Sequence, residues 1–306
     1  MRILNSRILI VLTLTTLAIL LVVSTWLNET VVIQYSEKEC DCGNKNGPSA
    51  THGVPVLRNP NQTMLTEQTL QSSNLSTKKT WSEIAEEYHT YVNTVQVKCN
   101  NIVRMGKADD GGWDICDDEQ YRPKQPCLIY SFGINNDWSF DDAVSKKYGC
   151  HVHAFDPSMK QDDHNRSDLI HFHKLGLAER EYTNPQGWRL NTLAGIRKQL
   201  GHSQTEIQII KMDTDKAELT SLPEMVTSGA LKDVSQFVFE IHIRVSQSFE
   251  TEADLAKYEM GLRLLKQVYD EGFRIFKSHQ NPWSKYPSRF GPVRYGCHEL
   301  HMVRVK

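Results

Sequence analysis

Residues Cys127–Pro157 read CLIYSFGINNDWSFDDAVSKKYGCHVHAFDP, and the order of residue types in this stretch decides the fold. An apolar run, Cys127–Phe132, stops at Gly133. A polar turn, Ile134–Asp137, leads into the helix-prone Trp138–Tyr148, and a second short apolar run ends in Asp156-Pro157. Strand, glycine turn, helix, strand and acid in that order make a βαβ unit. Glycine lets the backbone come close to a ligand, and an acid about twenty residues further on accepts hydrogen bonds from ribose hydroxyls. The stretch therefore carries both features that a nucleoside-bearing cofactor needs.

The alternation extends in both directions. Upstream, Trp81–Val97 sets Trp81, Ile84, Ala85, Tyr88 and Val92 on one helical stripe. The following CNNIVRMGKADDGGWDICDD (99–118) is a short strand and a turn dense in Gly and Asp. Downstream, Ile170–His173 is a short strand and Gly176–Ala178 opens a loop to Trp188. Leu193–Leu200 is a helix closed by Gly201, and Glu206–Met212 is an apolar strand ending at Asp213-Thr214-Asp215. Glu218–Ser228 fits a helix and Val234–Ile243 a strand. Leu255–Glu271 is the clearest helix, apolar at Leu255, Tyr258, Leu262, Leu265 and Val268 and stopped by Gly272. Between Phe273–Lys277 and Cys297–Val305 there is no room for a crossover helix, which predicts an antiparallel pair. The expected fold is α/β: a doubly wound, seven-stranded, mostly parallel Rossmann-like sheet with a C-terminal antiparallel β-hairpin. Such a sheet binds ligands at the carboxyl ends of its strands.

This domain, 81–306, follows two segments of different character. Arg2 and Arg7 precede Ile8–Leu27, which has no charged residue, and Glu29, Glu37 and Glu39 follow it. About 20 apolar residues in a helix cross the roughly 30 Å of bilayer hydrocarbon, and the charge asymmetry favours a cytosolic N-terminus. Residues 1–29 thus read as a single-pass type II signal anchor, with a cleaved signal peptide and a secreted product as the alternative. Residues 30–80, rich in Asn, Ser, Thr, Gln, Gly and Pro, read as a disordered stem. Both readings put the domain in the secretory lumen, Golgi or endoplasmic reticulum. N-x-[ST] triplets at Asn28, Asn61, Asn74 and Asn165 agree with a glycoprotein. Seven cysteines in an oxidising compartment predict disulfides. Cys99 and Cys116 bracket one loop and form the favoured pair, whereas Cys40 and Cys42 could join two chains. No C-x-x-C or clustered Cys/His spacing points to zinc. The formal net charge of −2 gives no reason to expect nucleic acid as a partner.

Particular phrases carry a family likeness: DGGWDIC (110–116), YSFGINNDWSFDD (130–142), VHAFDP (152–157), LGLA (175–178), IIKMDTDKAE (209–218), FVFEIH (237–242) and CHELHMVR (297–304). Over 81–306 the chain resembles the class I S-adenosylmethionine-dependent methyltransferases. Within them it resembles a membrane-anchored methyltransferase-like family, and more distantly the FkbM-type sugar O-methyltransferases. The resemblance implies S-adenosylmethionine as cofactor and methyl transfer to an acceptor, a hydroxyl of a glycan or glycoprotein being the class suggested by compartment and FkbM likeness. Two departures stand out. Gly133 is alone where the family's loop has two or three glycines, and Lys216 stands where the relatives carry glycine.

On this reading Phe132 and Gly133 approach the cofactor and Asp156 binds its ribose. Asn135 and Asp137 either orient its amino-acid end or cap the following helix. Asp213 opens onto the site from the fourth strand and, with Glu240 and His242, is a candidate base for an acceptor hydroxyl. Glu240 and His242 alternate on one strand face, where a buried structural pair is the competing role. The pairs His151/His153 and His171/His173 have metal-like spacing but no third ligand, so no metal is expected. Two rival functions remain: a Golgi glycosyltransferase using Asp213-Thr214-Asp215 as a D-x-D cation motif, and a methyltransferase-fold protein without chemistry.

Overall fold

The computed structural model describes residues 79–215, 217–243 and 252–305. The expected anchor, most of the stem, the triplets at Asn28, Asn61 and Asn74, and Cys40, Cys42 and Lys216 lie outside these residues. Among the described residues no helix is long and apolar enough to cross a membrane.

In chain order the elements begin with α1 (Trp81–Val92), β1 (Ile102–Met105), β2 (Trp113–Cys116), β3 (Leu128–Phe132), α2 (Ser139–Tyr148) and β4 (His151–Phe155). Then come β5 (His164–Asn165), β6 (Ile170–His173), β7 (Gly176–Leu177), β8 (Tyr182–Thr183), β9 (Arg189–Asn191), α3 (Leu193–Gln199) and β10 (Ile207–Met212). The chain continues with α4 (Glu218–Thr227), β11 (Val234–His242), α5 (Glu252–Asp270), β12 (Phe273–Gln280), β13 (Lys285–Pro287), β14 (Val293–Tyr295) and β15 (Cys297–Arg304).

Eight strands form the main sheet in the order β12-β15-β11-β10-β3-β4-β6-β5. The strands β11, β10, β3, β4 and β6 run parallel, while β15 lies antiparallel between β11 and β12. The seven longer strands match the expected plan, including the reversed last strand. The eighth, β5, is a two-residue edge strand antiparallel to β6. From β3 the chain proceeds outward through β4 and β6, then returns to the other side of β3 at β10. The order therefore reverses between β3 and β10, which is where doubly wound sheets place their ligands.

Strand β3 is buried along its whole length, as a strand covered on both faces must be. Its alternate residues enter different layers. Leu128, Tyr130 and Phe132 join a core with α1, α3, α4 and α5, whereas Ile129 packs with Phe140 and Val144 of α2 and with Trp113 and Ile115 of the β1–β2 hairpin. Helix α1 begins with a capping box, Thr80 and Glu83 each bonding the other's backbone N–H. Two disulfides join described residues to one another: the expected Cys99–Cys116, and Cys127–Cys150, which ties the residue before β3 to the residue before β4; Cys297 is disulfide-bonded as well. The four strand histidines meet across β4 and β6 as ring pairs, His153 Nδ1 to His173 Nε2 at 2.8 Å and His151 Nδ1 to His171 Nε2 at 3.2 Å.

Candidate active site

At the reversal point a cavity of about 700 Å³ opens over the carboxyl ends of β3, β4 and β10. This is within the usual range for small-molecule sites. Of the residues singled out from sequence, Phe132, Gly133, Asn135, Asp156, Asp213 and Glu240 line it. Asp137 and His242 are not among its lining residues.

Gly133 has φ +82°, and a Cβ there would lie 1.6 Å from the carbonyl oxygen of Asp213. Only glycine lets the ends of β3 and β10 close on one another in this way. Beyond it, Asn135 (φ 45°) and Asn136 (φ 61°) turn the chain through the left-handed region, closed by the Asp137 N–H donating to the Ile134 carbonyl at 2.8 Å. Asparagine tolerates that region better than most residues, so the Asn-Asn pair supplies conformational freedom that extra glycines would give elsewhere.

Asp156 is 4% exposed. One of its carboxylate oxygens accepts from the Asn135 N–H (2.8 Å), the other from the N–H (2.8 Å) and hydroxyl (2.6 Å) of Ser158. A carboxylate offers about four lone-pair sites, so one remains for a group in the cavity. Asp156 thus fixes the glycine turn as well as facing the site. Asp137 lies outside the cavity, ion-paired to Lys107 at 2.9 Å and accepting from the Ser139 N–H at the start of α2.

Lys211 is a polar residue buried inside an apolar strand. Its ammonium donates to the carbonyls of Phe132 (3.0 Å) and Gly133 (2.6 Å) from beneath the turn. Asp141 of α2 lies near enough to feel its charge; burial nonetheless raises the Asp141 carboxyl to about 6.

On the other side of Gly133, acids gather at the ends of β10 and β11. Burial raises the Asp213 carboxyl above its ordinary range and pushes Glu240 up to about 8, with Asp213 adding repulsion. Glu240 accepts from the Asn281 amide at 2.9 Å. Behind it, His242 Nδ1 is 3.3 Å from Glu218 and Nε2 is 3.6 Å from Glu240. Burial opposes charge on His242, yet the Glu218, Glu240 and Asp213 carboxylates outweigh it and raise the ring to about 10. The histidine is therefore a cation at neutral pH. It sits between the acids, and Asp213 and Glu240 are the ionisable groups of this cluster that face the cavity together with Asp215.

The far wall comes from a small sheet, β7-β9-β8, that the sequence reading leaves as a loop. Tyr182, Asn184, Gln186 and Trp188 face the cavity from it. Its strands are two or three residues long, too short for any periodicity to register.

A mostly parallel sheet with its penultimate edge position filled by a reversed strand, and a glycine turn and an acid facing a cavity at the point of reversal, define a methyltransferase-type domain. Residues 59–291 match the family model described as Methyltransferase domain, and the chain belongs to that family. It is similar to probable methyltransferase-like protein 24 of Homo sapiens, 28% identical over 215 residues. The Rattus norvegicus protein of the same name is 26% identical over 220 residues. In each case the match covers 65% of this chain and 58% of the relative's length. Among solved structures, a putative hemolysin from Streptococcus thermophilus aligns over 60% of this chain and 61% of its own, at 13% identity and a TM-score of 0.33, a likeness too slight to carry any inference.

Proposed function

We propose that this chain is an S-adenosylmethionine-dependent methyltransferase working in the lumen of the Golgi or endoplasmic reticulum, anchored through residues 1–29. One observation carries the reading: Gly133, Asp156 and Asp213, from three adjacent strand ends, line a single cavity at the reversal of the sheet. The lining fits the cofactor. Asp156 keeps an acceptor site for a ribose hydroxyl, the Gly133 turn offers close backbone approach, and the acids beyond suit a sulfonium. The cofactor supplies an electrophilic methyl group. The chain supplies alignment, with Asp213 and Glu240 facing the space that the incoming nucleophile would enter. The disulfides Cys99–Cys116 and Cys127–Cys150 support an oxidising compartment. The acceptor class suggested by compartment and by likeness to sugar O-methyltransferases is a glycan or glycoprotein.

Calorimetry of the full chain with S-adenosylhomocysteine tests the reading. Saturable binding that Asp156→Ala weakens by about tenfold or more, some 1.4 kcal/mol, is expected. Absence of binding at millimolar ligand by folded protein contradicts it. Asp213 and Asp215 share the cavity, as a D-x-D glycosyltransferase would require. Nucleotide-sugar binding that depends on Mn²⁺, with no response to S-adenosylhomocysteine, would favour that alternative.

A further inference from the structure

Four histidines share one face of two neighbouring strands. His151 and His153 of β4 point to the same side, as do His171 and His173 of β6, because residues two apart on a strand share a face. Along the sequence neither pair has a further ligand beside it; the parallel pairing of β4 with β6 supplies one from the adjacent strand. His153 Nδ1 meets His173 Nε2 at 2.8 Å, and His151 Nδ1 meets His171 Nε2 at 3.2 Å. The centres of the His153 and His171 rings are 5.0 Å apart, so the four rings form one contiguous array. His202 extends it, with its ring centre 4.9 Å from that of His153 and its Nδ1 bonded to the Tyr130 hydroxyl at 2.7 Å. Oxygen atoms back the two β6 rings. His171 Nδ1 lies 2.8 Å from Asn165 Oδ1, and because an amide oxygen only accepts, Nδ1 carries the proton and Nε2 the lone pair. His173 Nδ1 faces a carboxylate oxygen of Asp163 at 4.0 Å, while the other oxygen of Asp163 holds Arg189 at 3.2 Å. An oxygen behind one ring nitrogen is the arrangement that sets the tautomer and orientation of a metal-bound imidazole. His151 is exposed and the other three strand histidines are half-buried, so ions from solvent reach the array.

We propose that the cross-strand pairs His153–His173 and His151–His171 bind divalent transition-metal ions of the zinc class, one ion to each pair, with water completing the coordination. Imidazole nitrogen suits zinc, copper and nickel, whereas magnesium and calcium take oxygen ligands. Zinc–nitrogen bonds of about 2.0–2.1 Å at the tetrahedral angle set two ligand nitrogens about 3.3 Å apart, so the rings need to part by about half an ångström at most. Without the ion, each pair is closed by one N–H···N bond donated by the β4 ring. When the ion enters, the proton on Nδ1 of that ring moves to its Nε2. Both facing nitrogens then offer lone pairs, and no proton is lost from either ring. The ion clips β4 to β6 beside the candidate active site. The Asp156 N–H donates to the His173 carbonyl at 3.2 Å, and Phe155, which lines the cavity, stacks on the His173 ring with centres 5.0 Å apart.

The test is calorimetry of the full chain, free of metal and carrying no polyhistidine tag, titrated with zinc chloride and, as the control, with magnesium chloride. Saturable binding of zinc in the micromolar range, with no response to magnesium, is expected. Binding at one pair should weaken by about tenfold or more in His173→Ala, at the other pair in His171→Ala, and at both in the double variant. Should a variant fail to fold, the wild-type chain serves. Zinc should protect His153 and His173 from acylation by diethyl pyrocarbonate, read by peptide mass mapping, while His279 on β12, at the opposite edge of the sheet, stays reactive. Absence of zinc binding at millimolar ion by folded protein overturns the inference. So does unchanged affinity in the double variant, or zinc that leaves His153 and His173 as reactive as before. None of these outcomes bears on the methyltransferase reading, which the S-adenosylhomocysteine titration decides.

Discussion

Gly133 is a residue whose identity is dictated twice, by its positive φ and by the Asp213 carbonyl 1.6 Å from where a Cβ would sit. The sequence marked it as a cofactor turn; the structure adds that strand packing alone already demands glycine. Gly133→Ala should cost on the order of 2–4 kcal/mol by denaturant titration, from left-handed strain plus overpacking. A cost below about 1 kcal/mol would mean that the ends of β3 and β10 are not locked together. His242 gives a pH dependence whose sign is fixed by its surroundings. Its folded value, about 10, lies above the ordinary 6.5, so its contribution is full below 6.5 and is lost as pH rises through about 10. Stability should therefore fall between pH 7 and 10. His242→Gln, already weaker at pH 7 because Glu218 is left buried without its cation, should show a flatter slope above pH 8. Parallel slopes in the two proteins would refute the assignment.

The secondary-structure elements were legible to differing degrees, and the difference follows from physics. Strands β3, β4, β10 and β11 are apolar runs bounded by turn residues, and helix α5 has a long apolar stripe. Local pattern suffices for such elements. The β7-β9-β8 sheet escapes because its strands are too short and their pairing is set by the walls around them. Lys211 escapes for a different reason. Its hydrogen-bond partners are carbonyls of β3, nearly eighty residues earlier in sequence (separations of 79 and 78), and no local pattern encodes that meeting. The Cys127–Cys150 bond was equally silent, since seven cysteines admit many pairings. It closes a 23-residue separation between the residues that immediately precede β3 and β4. Replacing both cysteines by serine should remove about 3 kcal/mol of stability in denaturant on the chain-entropy account. A loss under about 1 kcal/mol would show that sheet pairing alone fixes the spacing.

Across the whole domain, one topological fact governs the rest. Because the chain winds outward from β3 and returns beside it at β10, the ends of these strands diverge and leave a cavity that side chains do not fill. The βαβ stretch and the later strand ending in Asp213 were enough to anticipate that geometry. The parts played by Asp110 and Glu179 were not, because these residues come from separate loops that only the fold assembles. The most direct test of the central claim is a crystal structure of the complex with S-adenosylhomocysteine. The account predicts the ribose hydroxyls within hydrogen-bonding distance of Asp156 and the amino-acid end against the Gly133 turn. A ligand seated elsewhere, with Asp156 facing only Asn135 and Ser158, would contradict it.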